Sequence, residues 1–165
     1  MYKTSIVTNE DQVDPYKFYD LLVEAIRESK YSENLNIDYE MLKGAALHYT
    51  KGDIDNSCLV LLHCDDEAVG FLCGEVGFMS RYFQMEPIAS ETLWWISPEH
   101  RGKAGKAVLE MVDLFEQWGL YNGCSIVTMS NQQNEYTAKV AKLYESIGYL
   151  KFEECFMKKL SAREI

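Results

Sequence analysis

Apolar residues along this chain recur at two spacings. After Asp14-Pro15, Phe18, Leu21, Leu22, Ala25 and Ile26 fall at three- and four-residue steps, which predicts a helix with one buried face. Pro15 takes the first turn, where its missing N–H costs nothing. Asp38 is placed to cap a second helix carrying Met41, Leu42, Ala45 and Tyr49. Ala107, Val108, Met111, Val112, Phe115 and Trp118 form the apolar face of a third, with Glu110, Asp113, Glu116 and Gln117 opposite; Gly119 and Asn122-Gly123 read as its stop. Val140, Leu143, Tyr144 and Ile147 mark a fourth, ended by Gly148. Between these lie strand-like runs at 2–8, 58–64, 68–78, 91–97, 124–129 and 152–160.

The turn Asp65-Asp66-Glu67 makes a hairpin of the second and third runs, and residues 79–90 read as a loop holding Arg81, Tyr82, Phe83 and Pro87. The strand, helix, strand order across 91–129 has the length of a parallel crossover. The fold class is therefore α/β: an α+β mixed sheet flanked by helices, in one domain spanning 1–165.

Composition sets limits on partners. A hydrophobic content of 47% and a charged content of 25% are ordinary for a globular chain. The formal net charge of -10 disfavours nucleic acid and anionic membranes as partners. It suits a cationic substrate. No apolar run reaches membrane-spanning length, and the five scattered cysteines read as reduced thiols of a cytoplasmic protein. His48, His63 and His100 have no ligand-like spacing, so no metal is expected.

The candidate chemistry lies at Trp94-Trp95-Ile96-Ser97-Pro98-Glu99-His100-Arg101-Gly102-Lys103-Ala104-Gly105-Lys106-Ala107. An apolar strand meets a Pro turn, and a loop rich in Gly and Lys then opens into a helix. Free backbone N–H groups and the positive end of a helix dipole converge there, an arrangement that binds phosphates. Lys103 and Lys106 are electrostatically misplaced at a helix start unless an anion joins them. The structural alternative is an ordinary strand-to-helix loop.

This stretch resembles the acetyl-CoA diphosphate loop of the GNAT N-acetyltransferase superfamily. Lys142-Leu143-Tyr144-Glu145-Ser146-Ile147-Gly148-Tyr149 resembles the same family's leucine-tyrosine-x-x-x-glycine-aromatic signature, and the order of elements agrees over almost the whole chain. Two departures stand out. The loop is one residue short of the family pattern, and Thr137 stands where the family often has Asn.

The resemblance implies a mostly antiparallel sheet with one splayed parallel strand pair, flanked by about four helices. It implies acetyl-CoA as cosubstrate, its diphosphate on the amides from Gly102 to Ala107 with Arg101 at the loop's head. The pantetheine arm is expected in the splay near Trp95 and Ile96, with Asn131 and Asn134 as nearby contacts. Tyr144 matches the family's proton donor to the leaving thiolate. For the base, Glu91 is the first candidate, Glu75 the second, and ordered water the third. Tyr144 read without the resemblance is a core residue on a helix face.

The implied activity is direct acetyl transfer to a primary amine, of a small molecule or of a protein, in a ternary complex. The competing reading is a non-catalytic module of the same fold that binds acyl-CoA or a protein partner. A homodimer through a sheet edge or the last strand is compatible with either.

Overall fold

The computed structural model describes residues 1–79, 86–132 and 134–157. Five strands form one sheet in the order β1-β2-β3-β4-β5: β1 (Tyr2–Ile6), β2 (Ser57–Cys64), β3 (Glu67–Phe78), β4 (Pro87–Ile96) and β5 (Ile126–Thr128). The first four are antiparallel neighbours, and β5 lies parallel to β4. Four helices are described: α1 (Pro15–Glu28), α2 (Tyr39–Tyr49), α3 (Gly105–Tyr121) and α4 (Thr137–Ser146). The expected mixed sheet with one parallel pair is present.

Alternation along the central strands fills two cores. Cys58, Val60, Leu62 and Leu72 face α3, where Met111, Val112 and Phe115 are buried. Leu59, Leu61, Phe71 and Cys73 face α1 and α2, where Phe18, Leu22 and Tyr49 close the layer. Phe18 and Phe71 are fully buried and meet edge to face at 5.2 Å. Burying each such ring is worth roughly 1.5–3 kcal/mol. Asp65 and Asp66 both take positive φ, as the two-residue hairpin between β2 and β3 requires.

Two glycines let α3 press onto the sheet. A Cβ on Gly74 would lie 2.2 Å from the Phe115 ring, and one on Gly119 would lie 2.9 Å from the Ala89 Cβ. Gly119 therefore does not stop α3, as the sequence suggested; it is a contact point, and the helix ends at Asn122 and at Gly123, with φ +74°.

Other boundaries also move. The first strand ends at Ile6, because Asn9 and Gln12 form a capping box around a 3₁₀ turn. The loop expected at 79–90 is shorter, since Pro87–Ser90 already pair with β3; Pro87 takes the first position of the strand, which needs no donor. Arg81, Tyr82 and Phe83 lie outside the described residues. The run at 124–129 yields only Ile126–Thr128, for a reason that lies in the site. Residues 151–157 form no strand, because they have no ladder partner, and 158–160 lie outside the described residues. Among the described residues no helix is long and apolar enough to cross a membrane.

Candidate active site

Strands β4 and β5 pair only at Ile88, Ala89 and Ser90, opposite Ile126, Val127 and Thr128. Among the described residues, β4 continues from Glu91 onward without a neighbour on that side. A β-bulge opens the gap: against β3, the register steps from Leu93 opposite Cys73 to Glu91 opposite Gly74, so Thr92 is the extra residue. Bulges bend the strand that carries them and re-aim its side chains.

Glu91 and Tyr144 both bond to the Ser130 peptide where this gap begins. Ser130 N–H donates to Glu91 Oε2 at 2.8 Å, and the Tyr144 hydroxyl donates to the Ser130 carbonyl at 2.9 Å. The Tyr144 ring packs between Trp94, at 6.1 Å, and Tyr149, at 5.5 Å. Burial holds the Glu91 carboxyl above its ordinary value, while the Ser130 and Trp94 amides pull it back. Burial, and then the Glu91 charge, push the Tyr144 phenol far up. Tyr144 therefore keeps its proton at neutral pH.

Beyond the gap, a 3₁₀ turn at Pro98–His100 leads into the loop. Arg101 N–H donates to Pro98 O at 3.3 Å, Lys103 N–H to His100 O at 3.2 Å, and Val108 N–H to Ala104 O at 2.9 Å. The amides of Gly102, Ala104, Gly105, Lys106 and Ala107 have no acceptor among the described residues. Gly102 has φ +74°, and a Cβ on Gly105 would meet no atom within 4 Å. The Lys103 and Lys106 side chains are exposed beside these amides; Lys106 Nζ is 3.7 Å from Glu110. The first turn of α3 carries no acidic residue to offset its dipole. The shortened loop thus still presents a row of unused donors.

Several candidate residues have other employment. The Arg101 guanidinium is bound by Glu28, its Nε donates to Ile96 O at 2.7 Å, and its face lies 5.5 Å from the Tyr136 ring centre. Trp95 is 8% exposed, buried on the α1 and α2 side. Ser97 N–H donates to Val69 O, on β3. Successive peptides of a strand point to opposite edges, so Trp95 also turns its backbone to β3. Trp94 and Ile96 turn theirs to the gap, and the Ile96 carbonyl there is taken by Arg101. Asn131 Nδ2 donates to Thr137 O at 2.9 Å, and Asn134 Oδ1 accepts from Tyr136 N–H at 2.8 Å. The Thr137 hydroxyl bonds the carbonyls of Gln132 and Asn134. These polar side chains stitch the turn into α4.

On the opposite face of the bulge, the Tyr49 hydroxyl donates to Glu75 Oε1 at 3.1 Å and shares a 2.8 Å hydrogen bond with Thr92 Oγ1. His48 Nε2 lies 3.8 Å from the same carboxylate, which is half exposed. Between the end of α1 and the start of α2 an open cavity of about 240 Å³ is lined by Ile26, Tyr31, Leu35, Ile37, Met41 and Leu42, with Asp38 at its edge. No three His, Cys, Asp or Glu side chains among the described residues cluster as metal ligands would.

Three of these participants were not singled out from the sequence. Thr92 belongs to a polar run, Ser90-Glu91-Thr92, inside an otherwise apolar strand, which is a readable hint of a bulge. Glu28 reads as one more surface glutamate on a helix. Ser130 acts through its backbone and leaves no signal.

No protein-family model matches the chain, and no curated protein sequence does. Solved structures do match in fold. The aminoglycoside N-acetyltransferase AAC(6')-Iy in complex with CoA superposes with a TM-score of 0.68 at 11% identity, covering 98% of this chain and 97% of that one. A ribosomal-protein-alanine N-acetyltransferase from Brucella melitensis gives 0.62 at 15% identity, covering 98% and 100%. A predicted acetyltransferase with acetyl-CoA from Clostridium acetobutylicum gives 0.65 at 12% identity, covering 96% of each chain. The splayed parallel pair, the donor-lined loop and the full-length superposition lead to one conclusion: this chain has the GNAT fold.

Proposed function

We propose that the protein is an acetyl-CoA-dependent N-acetyltransferase acting on a primary amine by direct attack. The observation that carries this reading is that the strand edge left open beyond Ser90 leads, through the Pro98–His100 turn, to a loop whose Gly102, Ala104, Gly105, Lys106 and Ala107 amides have no acceptor among the described residues. A long ligand with an anionic middle and an extended amide arm suits that path. The solved neighbours described with CoA or acetyl-CoA support the same cosubstrate.

In this reading the loop amides and Lys103 and Lys106 hold the diphosphate. Each charge-assisted hydrogen bond contributes roughly 1.5–3 kcal/mol. The arm lies along the β4 edge, where the Trp94 peptide faces the gap. The thioester carbonyl carbon then lies at the gap's mouth, near Glu91 and Tyr144. The amine must be neutral to attack, and Glu91 takes its proton. The N–C bond forms and the C–S bond breaks. Tyr144, still protonated, gives its proton to the departing sulfur, and the proton shed by the new amide nitrogen restores the phenol. The acidic surface supports a cationic acceptor, and the free cysteines support the cytoplasm as compartment.

A second reading of the base rests on Glu75. Its carboxylate is half exposed on the α1 and α2 face, one strand from the bulge, with Tyr49 and His48 against it. It is open to an amine approaching from that side.

The test is a panel of amines, including polyamines, aminoglycosides and peptides with a free N-terminus, assayed for thiol release from acetyl-CoA. Amine-dependent release supports the enzyme. Binding of acetyl-CoA by calorimetry without release with any amine leaves a non-catalytic acyl-CoA-binding module. Absence of binding at millimolar cosubstrate sinks both.

A further inference from the structure

Glu28 stands in the last turn of α1, on the helix layer that covers the opposite face of the sheet from α3. It nonetheless takes both ends of the Arg101 fork, Nη1 at 2.5 Å and Nη2 at 2.6 Å. Its Oε2 also accepts the Trp95 indole N–H at 2.8 Å. Through Arg101 Nε the same assembly reaches the Ile96 carbonyl, and through the guanidinium face it reaches Tyr136, the residue that opens α4. One carboxylate thus gathers the end of α1, the end of β4, the head of the loop and the entrance of α4.

Elsewhere the loop is anchored at Ala104, whose side chain is buried in the core beside α3, and just ahead of it at His100, whose Nδ1 lies 2.9 Å from the Tyr2 hydroxyl. Between Gly102 and Gly105 only the Lys103 amide makes a backbone bond among the described residues. The side chains of Lys103 and Lys106 are exposed, and a Cβ at Gly102 or Gly105 would touch nothing. A bidentate fork is planar and directional, so it fixes the rotation of Arg101 and the direction in which the next peptides leave. Three of the five N–H donors of Arg101, one on each nitrogen, are spent on protein acceptors.

We infer that Glu28 is a positioning residue for the diphosphate-binding loop: it sets the course of the amides from Gly102 to Ala107 by clamping Arg101. The inference rests on the reading of that loop as the cosubstrate's diphosphate site. Two effects of removing Glu28 oppose each other. Loss of a negative charge near an anion site strengthens binding; loss of the clamp lets the amides wander and weakens it. Glu28 is partly exposed, so salt screens the first effect, and the second prevails.

The experiment compares wild type, Glu28→Gln, Glu28→Asp and Glu28→Gln with Arg101→Lys. Binding of CoA is measured by calorimetry, and kcat/KM is measured with acetyl-CoA and with S-acetylpantetheine, which lacks the diphosphate. Glu28→Gln is expected to weaken CoA about tenfold, ~1.4 kcal/mol. The rate with S-acetylpantetheine is expected to fall less than the rate with acetyl-CoA, whereas a general structural defect would lower both equally. The double variant should be no weaker than the single, since both remove one clamp. Glu28→Asp, which keeps the charge, should recover part of the affinity, and it reads the same quantity if the Gln variant does not fold. Undiminished or tighter CoA binding by Glu28→Gln overturns the inference, as do equal losses with both thioesters. If wild type itself binds no CoA, the functional reading falls first, and the two failures are thereby told apart.

Discussion

Glu91 accepts the Ser130 N–H at 2.8 Å, in the place where a continued parallel ladder would offer a backbone carbonyl. A side chain has taken over one rung. The two strands can therefore part after Ser90 with the Ser130 peptide still paired. Tyr144 does the same for the Ser130 carbonyl. The short β5 follows from this exchange, and so does the proximity of an acid and a base.

Glu91→Gln should erase the acidic limb of the pH profile of kcat/KM. Burial raises the Glu91 pKa, so that limb is expected above the ordinary glutamate value of ~4.3. The sign for stability follows from the same shift. The folded state binds this proton more tightly than the unfolded chain does. Glu91 therefore subtracts stability as pH rises from the ordinary value through the folded one. Urea midpoints of Glu91→Gln should decline less than those of wild type across that window. A limb that persists in Glu91→Gln and vanishes in Glu75→Gln moves the base to β3.

Tyr144→Phe keeps the ring against Trp94 and Tyr149 but removes the donor. Turnover should fall by roughly 10²-fold, the size of a lost general acid, with little change in CoA affinity. Steady-state kinetics beside calorimetry separate the two quantities. Wild-type turnover in the variant would assign the sulfur's proton to water.

Lys103→Glu with Lys106→Glu should weaken CoA at low salt. The deficit should shrink as salt rises, since at 0.1 M the screening length is about 10 Å. Titrations at several ionic strengths measure it. Equal affinity at low salt would place the anion elsewhere.

Gly74→Ala puts a methyl group 2.2 Å from the Phe115 ring, directly opposite Glu91 in the β3–β4 register. Overpacking of this kind costs typically ~1–3 kcal/mol. Denaturant unfolding should show a lower midpoint with unchanged slope. A midpoint at the wild-type value would mean that α3 can lift from the sheet without cost.

The helices were legible because their apolar faces repeat over two or more turns. Phe18, Leu22 and Ala25 on α1, and Ala107, Met111 and Phe115 on α3, are buried as their spacing required. Gly119 misled because glycine serves both as a helix stop and as a contact point; only the approach of Ala89 distinguishes the two uses. The run at 152–160 has strand composition, but a strand is a pairing. Nothing local to residues 151–157 supplies the partner.

By itself the sequence determined the order of elements, the Gly- and Lys-bearing loop ahead of α3, and the tyrosine at its helical position, because each is a property of neighbouring residues. The tertiary structure alone decided that Glu91 closes a rung beside Ser130, that Thr92 bulges, and that Glu28 claims the guanidinium of Arg101. Those relationships join segments far apart in the chain. Side-chain hydrogen bonds across such separations form only when packing of the two cores has brought the segments together.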